Sequence, residues 1–127
     1  MSFLKNIKTP DDLLQEYKEL KISTINSIRD SKLNTFTYEG NTFQTRPEDR
    51  ENILGESMEV LMGKTDNIQW IDINNNYITF TPEDFSLFAK AVASHKRECI
   101  FKGRNMKDMI MEATTKDQID SIVWEDE

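Results

Sequence analysis

Thr35-Phe36-Thr37-Tyr38-Glu39-Gly40-Asn41-Thr42-Phe43-Gln44-Thr45 is the stretch that decides the fold. β-Branched and aromatic residues stand on both sides of the Glu39-Gly40-Asn41 turn, which is the composition of a β-hairpin. Phe36, Tyr38 and Phe43 supply its apolar contacts, and the intervening threonines suit the solvated side of a pleated ribbon. A lone hairpin is marginal in water, so this one must pack against the rest of the chain. A second hairpin follows downstream. Ile68, Trp70 and Asp72 lead into Asn74-Asn75-Asn76, and Tyr77-Ile78-Thr79-Phe80 return. Asparagine tolerates the left-handed backbone such turns demand.

Helices flank both hairpins. Pro10-Asp11-Asp12, Pro47-Glu48-Asp49 and Pro82-Glu83-Asp84 each place proline at a first helical position and carboxylates near the positive end of a helix dipole. Thr9 and Thr81 add capping hydroxyls. The first helix should run from about Pro10 to Asp30. Leu13, Tyr17, Leu20 and Ile28 recur on it at helical spacing with Thr24 in the gap, and Leu14, Ile22 and Ile25 widen the stripe. The second carries Ile53, Leu54, Ser57, Met58, Val60, Leu61 and Met62 until Gly63 stops it, its methionines reading as core filler. The third carries Phe85, Phe88, Ala89, Val92, His95 and Cys99. Gly103 interrupts it or ends it, and Met106, Met109, Ile110 and Ala113 resume a helical face. Thr115-Lys116-Asp117-Gln118 has the form of a capping box and opens a short last helix with Ile119, Ile122, Val123 and Trp124.

The order is helix, hairpin, helix, hairpin, helix, helix, without a parallel β-α-β crossover. An α+β fold is expected, in which the two β-hairpins form a small antiparallel sheet packed against helices, with a long N-terminal helix. Residues 1–33 make the N-terminal helix, 34–124 a compact α+β domain and 125–127 an acidic tail.

Composition narrows the function. The 127 residues hold 16 basic and 23 acidic side chains, a formal net charge of -7. Such a surface repels phosphate backbones and argues against direct nucleic-acid binding, with Lys96-Arg97 and Lys102-Gly103-Arg104 as local exceptions. Cys99 is the single cysteine, so neither an internal disulfide nor a thiolate metal cluster is expected, which suits a reducing cytosol. No apolar run approaches the roughly 20 residues of a membrane span, and Met1 to Pro10 lacks the features of a signal peptide.

Chemical motifs are sparse. His95, the only histidine, lies one helical turn from Cys99, but two neighbouring residues on a helix build no oxyanion hole, and helix packing is the better reading. Phosphate-loop, dinucleotide and zinc-protease motifs are missing. Asp72, Asn74, Asn75 and Asn76 fit a hairpin turn better than a calcium loop, whose closing glutamate is lacking. The acidic pairs Glu48/Asp49 and Glu83/Asp84 serve helix N-termini, and Trp70 and Trp124 read as core residues, with interface anchoring as the alternative. No catalytic residue, cofactor or metal is therefore expected. The usable signal is the face Leu13, Tyr17, Leu20, Thr24 and Ile28 of the first helix, which either covers its own domain or meets another chain.

Tyr38-Glu39-Gly40-Asn41-Thr42-Phe43-Gln44, Arg50-Glu51-Asn52-Ile53, Trp70 with Asn75, Ile78-Thr79-Phe80-Thr81, Phe88-Ala89-x-Ala91-Val92 and Lys107-Asp108-x-Ile110-x-x-Ala113 form a further pattern. Over about Thr35 to Trp124 it resembles a domain family of unknown function encoded by phages and prophages, often near tail-fibre genes or at the end of tail-associated proteins. The resemblance carries no catalytic residue. It implies a non-enzymatic structural or assembly factor of a tail or tail fibre, acting in the host bacterial cytoplasm or in the virion and self-associating as a trimer or dimer. The alternative, motivated by size and acidity, is an inhibitor that occupies a basic channel of a host defence complex.

Overall fold

The computed structural model describes residues 7–125, which fold as α1 (Pro10–Leu33), β1 (Thr35–Tyr38), β2 (Asn41–Gln44), α2 (Pro47–Leu61), β3 (Ile68–Ile71), β4 (Tyr77–Phe80), α3 (Pro82–Glu112) and α4 (Lys116–Asp120). The expected α+β arrangement and long N-terminal helix are both present. The reading of Met1–Asn6 and of the Asp126-Glu127 end of the acidic tail lies outside the described residues.

β1 and β2 pair antiparallel with Phe36 opposite Phe43, and β3 and β4 with Trp70 opposite Ile78. The first turn is tighter than the sequence suggests. Asn41 already belongs to β2, leaving Glu39 (φ 49°) and Gly40 (φ 82°) as two central residues in left-handed conformation, the turn whose twist suits paired strands. The hairpins do not share one ladder: each is a two-stranded sheet of its own. They are tied by one backbone bond, from the Ile73 amide to the Thr42 carbonyl at 2.8 Å. β3 stops at Ile71 rather than Asp72. Asp72 is buried and its Oδ1 accepts the amides of Asn74 and Asn76, both at 2.9 Å, which closes the second turn.

Two compact units emerge, one made of the chain from Asp30 to Cys99, the other of the chain up to Arg29 together with that from Ile100 on. In the first, Phe43, Ile53, Ile68, Phe80, Phe85, Phe88 and Val92 form the core, with Phe36, Tyr38 and Trp70 packed on it. Aromatic edges and faces interlock there: Phe88 lies 4.7 Å from Phe43, 5.1 Å from Phe80 and 5.3 Å from Tyr38 between ring centres. In the second, Ile25, Met106, Ile110 and Ile122 are buried, with Ile22 and Trp124 against them.

The structure corrects the sequence reading in several places. α1 continues past Asp30 to Leu33 because its last carbonyls are claimed by side chains. His95 Nε2–H donates to Lys32 O at 2.8 Å, and Thr45 Oγ1 and Arg50 Nη1 donate to Leu33 O at 2.7 and 3.3 Å. Thr45, expected on the solvated side, is fully buried for that reason. Gly103 neither breaks nor ends α3. Its φ is not left-handed, and it sits beneath the side chains of Arg29 and Trp124. The methionines read as core filler do not fill it: Met58 and, at the C-terminal cap of α2, Met62 are exposed, as are Leu54 and Leu61, because α2 buries the neighbouring face that carries Ile53. Met109 of α3 is exposed as well. α4 ends at Asp120, so Ile122, Val123 and Trp124 follow it outside any helix or strand, Ile122 buried and Val123 exposed. Among the described residues no helix is long and apolar enough to cross a membrane.

Candidate functional site

α1 begins with a closed cap. The Thr9 amide donates to Asp12 Oδ2 at 3.0 Å and the Asp12 amide donates to Thr9 Oγ1 at 3.1 Å, so two backbone donors at the helix start are satisfied reciprocally. The bonds from Thr9 hold the Asp12 carboxyl below its ordinary range. From this fixed start, Leu13, Leu14, Tyr17 and Leu20 emerge at helical spacing. They line an open groove of about 510 Å³ with Pro10, Glu16 and Lys116, the last contributed by α4. The volume lies within the range of binding pockets, and its walls are mostly aliphatic and aromatic.

Tyr17 is the anchor of this groove. Its hydroxyl donates to Asp120 Oδ1, and Lys116 Nζ stands 5.1 Å above its ring. The hydrogen bond to Asp120, with partial burial and the nearby negative charge, raises the phenol pKa. The phenol therefore stays protonated and donating over the neutral range. Lys18 Nζ donates to the Met111 carbonyl at 2.7 Å, holding α1 to the end of α3. Lys8 pairs with Glu16 at 2.5 Å along one side. A ring held by its hydroxyl and by a cation loses little freedom when a partner packs on it, which favours binding.

Of the five residues expected to meet a partner, three come together here. Leu13 and Leu20 are 54% and 67% exposed, and Tyr17 lies half-buried between them. Thr24 is exposed but outside the groove, its hydroxyl donating to the Leu20 carbonyl at 3.1 Å. Ile28 is partly buried and also outside it. The inward face of α1 is centred on Ile22 and Ile25, which belong to the widened stripe read from the sequence but lie beside its Leu13, Tyr17 and Leu20 line. Leu14 belongs to the groove through its spacing to Tyr17, while Lys116 and Asp120 carry no sequence signal because they lie about a hundred residues away in the chain.

His95 and Cys99 do come together, with the thiol sulfur 3.8 Å from the imidazole nitrogens. The ring is stacked 4.7 Å from Phe36 and its Nε2–H is spent on the α1 carbonyl, so the pair performs helix packing. Asp72 likewise devotes Oδ1 to two turn amides and Oδ2 to the Asn76 side chain at 3.3 Å. Among the described residues no group of three or more His, Cys, Asp or Glu side chains is placed to hold a metal ion.

Fold and surface together define a small α+β protein with an apolar groove at the start of its long first helix. The chain belongs to the family described as Domain of unknown function (DUF4376), which matches residues 16–123. The match begins inside α1 rather than at β1, so most of that helix is part of the family domain. Comparison with curated proteins and with solved structures gave no match.

Proposed function

We propose that the chain is a non-enzymatic phage or prophage protein that binds a tail or tail-fibre component through the groove on the N-terminal half of α1. The observation that carries the binding role is the pair of exposed leucines Leu13 and Leu20, grouped with the partly buried Leu14 around the anchored Tyr17. Apolar side chains gathered in an exposed groove favour burial by a partner chain at about 25 cal/mol per Å². The tail assignment is supported by the resemblance described above, and the compartment that goes with it is the host bacterial cytoplasm or the assembled particle.

Affinity capture with the tagged protein from prophage-induced cells tests the reading. Tail proteins recovered by the natural chain and lost with Leu13→Asp/Leu20→Asp are the expected result. A host nuclease or defence complex recovered in their place, and released by moderate salt, replaces it with the inhibitor reading. Equal recovery by both chains removes α1 as the docking surface.

A further inference from the structure

Three large apolar side chains of α2 face solvent, Leu54 (61% exposed), Met58 (53%) and Leu61 (82%), and Met62 (85%) follows at its C-terminal cap. Leu54, Met58 and Leu61, four and three residues apart, lie in a single row along the helix. At the Leu54 end of the row, and lined in part by Leu54 itself, α2 and α3 enclose an open groove of about 380 Å³. Ser86, Ala89 and Ala93 of α3 form one wall, and being small and three or four residues apart they let another helix approach closely. Lys90 and Lys96 stand along the same wall, and no carboxylate lines the groove, although the chain as a whole carries a net charge of -7. The occupant that fits is an apolar helix flanked by acids.

α2 is itself such a helix. It carries Glu48, Asp49, Glu51, Glu56 and Glu59 against one cation, Arg50, whose guanidinium donates to the Leu33 and Thr45 carbonyls. Glu56 and Glu59 are paired with Lys64 at 2.6 and 3.4 Å, while Glu51 is exposed on the helix that bears the apolar row. We propose that the groove is filled by α2 of a second copy of this chain. The contact is two-fold: each Leu54–Met58–Leu61 row enters the other copy's groove, and each Glu51 meets the other copy's Lys90 and Lys96. In such a contact every favourable pairing occurs twice, and both the row and the groove are covered at once. The two copies repel each other at long range through their net charge, so the apolar row supplies the affinity and the Glu51–lysine pairs set the register.

Sedimentation equilibrium of the full chain over about 1–200 μM tests this, a range in which moderate dimer affinities fall. A monomer–dimer equilibrium is expected. Leu61→Lys should raise the dissociation constant about tenfold or more, with an unchanged thermal melt because that side chain is already in water. Lys90→Glu/Lys96→Glu should weaken the dimer, and adding Glu51→Lys should restore it. A monomer throughout the range overturns the proposal, as does a dimer indifferent to Leu61→Lys. Loss of the dimer in Leu13→Asp/Leu20→Asp with retention in Leu61→Lys also overturns it, assigning self-association to α1.

Discussion

Thr45 is buried because both its hydroxyl and its amide serve the end of α1, donating to Leu33 O and Asn34 O at 2.7 Å each. The hydroxyl is therefore worth a hydrogen bond and not merely a small volume. Thr45→Val, which keeps the shape and removes that donor, should cost about 1 kcal/mol in urea unfolding. Glu39 makes the opposite case, since a residue with a Cβ is held at φ 49° in a turn that prefers Asn or Gly. Asp72 links a residue to pH. Backbone and side-chain bonds from Asn76 and Asn74 hold its carboxyl below the ordinary 3.8, so the ionised form is favoured by folding. The stability this provides is complete above the unfolded value and disappears as pH falls through the lower folded one. Asp72→Asn should accordingly flatten the fall in melting temperature from about pH 5 to about pH 3 relative to the natural chain.

Two glycines show how helix length was set at the scale of elements. Gly63 follows α2 at φ 106°, its amide donating to Val60 O while the Lys64 amide donates to Glu59 O, the paired bonds that end many helices. A Cβ there meets no atom within 4 Å, so the cost of Gly63→Ala comes from the backbone alone, about 1 kcal/mol of destabilisation. Gly103 lies inside α3, where a Cβ would stand 3.4 Å from Arg29 Cδ and 3.6 Å from Trp124. The arginine stem can yield, and the gain in helix propensity is about 1 kcal/mol. Gly103→Ala should thus raise stability by up to about 1 kcal/mol, with the melting temperature as the measure. The start of α4 depends on Thr115, whose hydroxyl accepts the Gln118 amide at 3.2 Å, and this cap was legible as a hydroxyl three residues before a glutamine.

Across the whole molecule, most of the core of the Asp30–Cys99 unit is aromatic. Phe88 is fully buried within 6 Å of the rings of Tyr38, Phe43, Phe80 and Phe85. Phe88→Ala should cost about 3–5 kcal/mol, a large part of the roughly 5–15 kcal/mol that stabilises a domain of ordinary size. Loss of the cooperative near-ultraviolet transition at room temperature is the observable to seek. Exposed apolar surface is spread more widely, and includes Leu13 and Leu20 on α1, Leu54, Met58 and Leu61 on α2, and Leu87, Phe101 and Met111 on α3. Surface substitutions at these places should leave folding within about 0.5 kcal/mol and change association instead.

What the sequence determined by itself is the set of local signals: prolines with following acids at helix starts, Gly63 as a stop, a β-branched ribbon on either side of Glu39-Gly40, and the asparagine turn. Each acts within a few residues, so composition and spacing reveal it. The buried face of a helix was less legible. On α1 the apolar stripe is wide, and which part turns inward depends on Met106, Ile110 and Ile122 far along the chain. On α2 periodicity gave the helix but could not tell that its leucine and methionine row would find no cover, since burial is decided by what packs opposite. The tertiary structure alone decided that Thr45, Arg50 and His95 would close the end of α1, and that Lys116 and Asp120 would meet Tyr17. Those pairings carry no periodic signature, because long-range polar contacts are specified by geometry rather than by spacing in the chain.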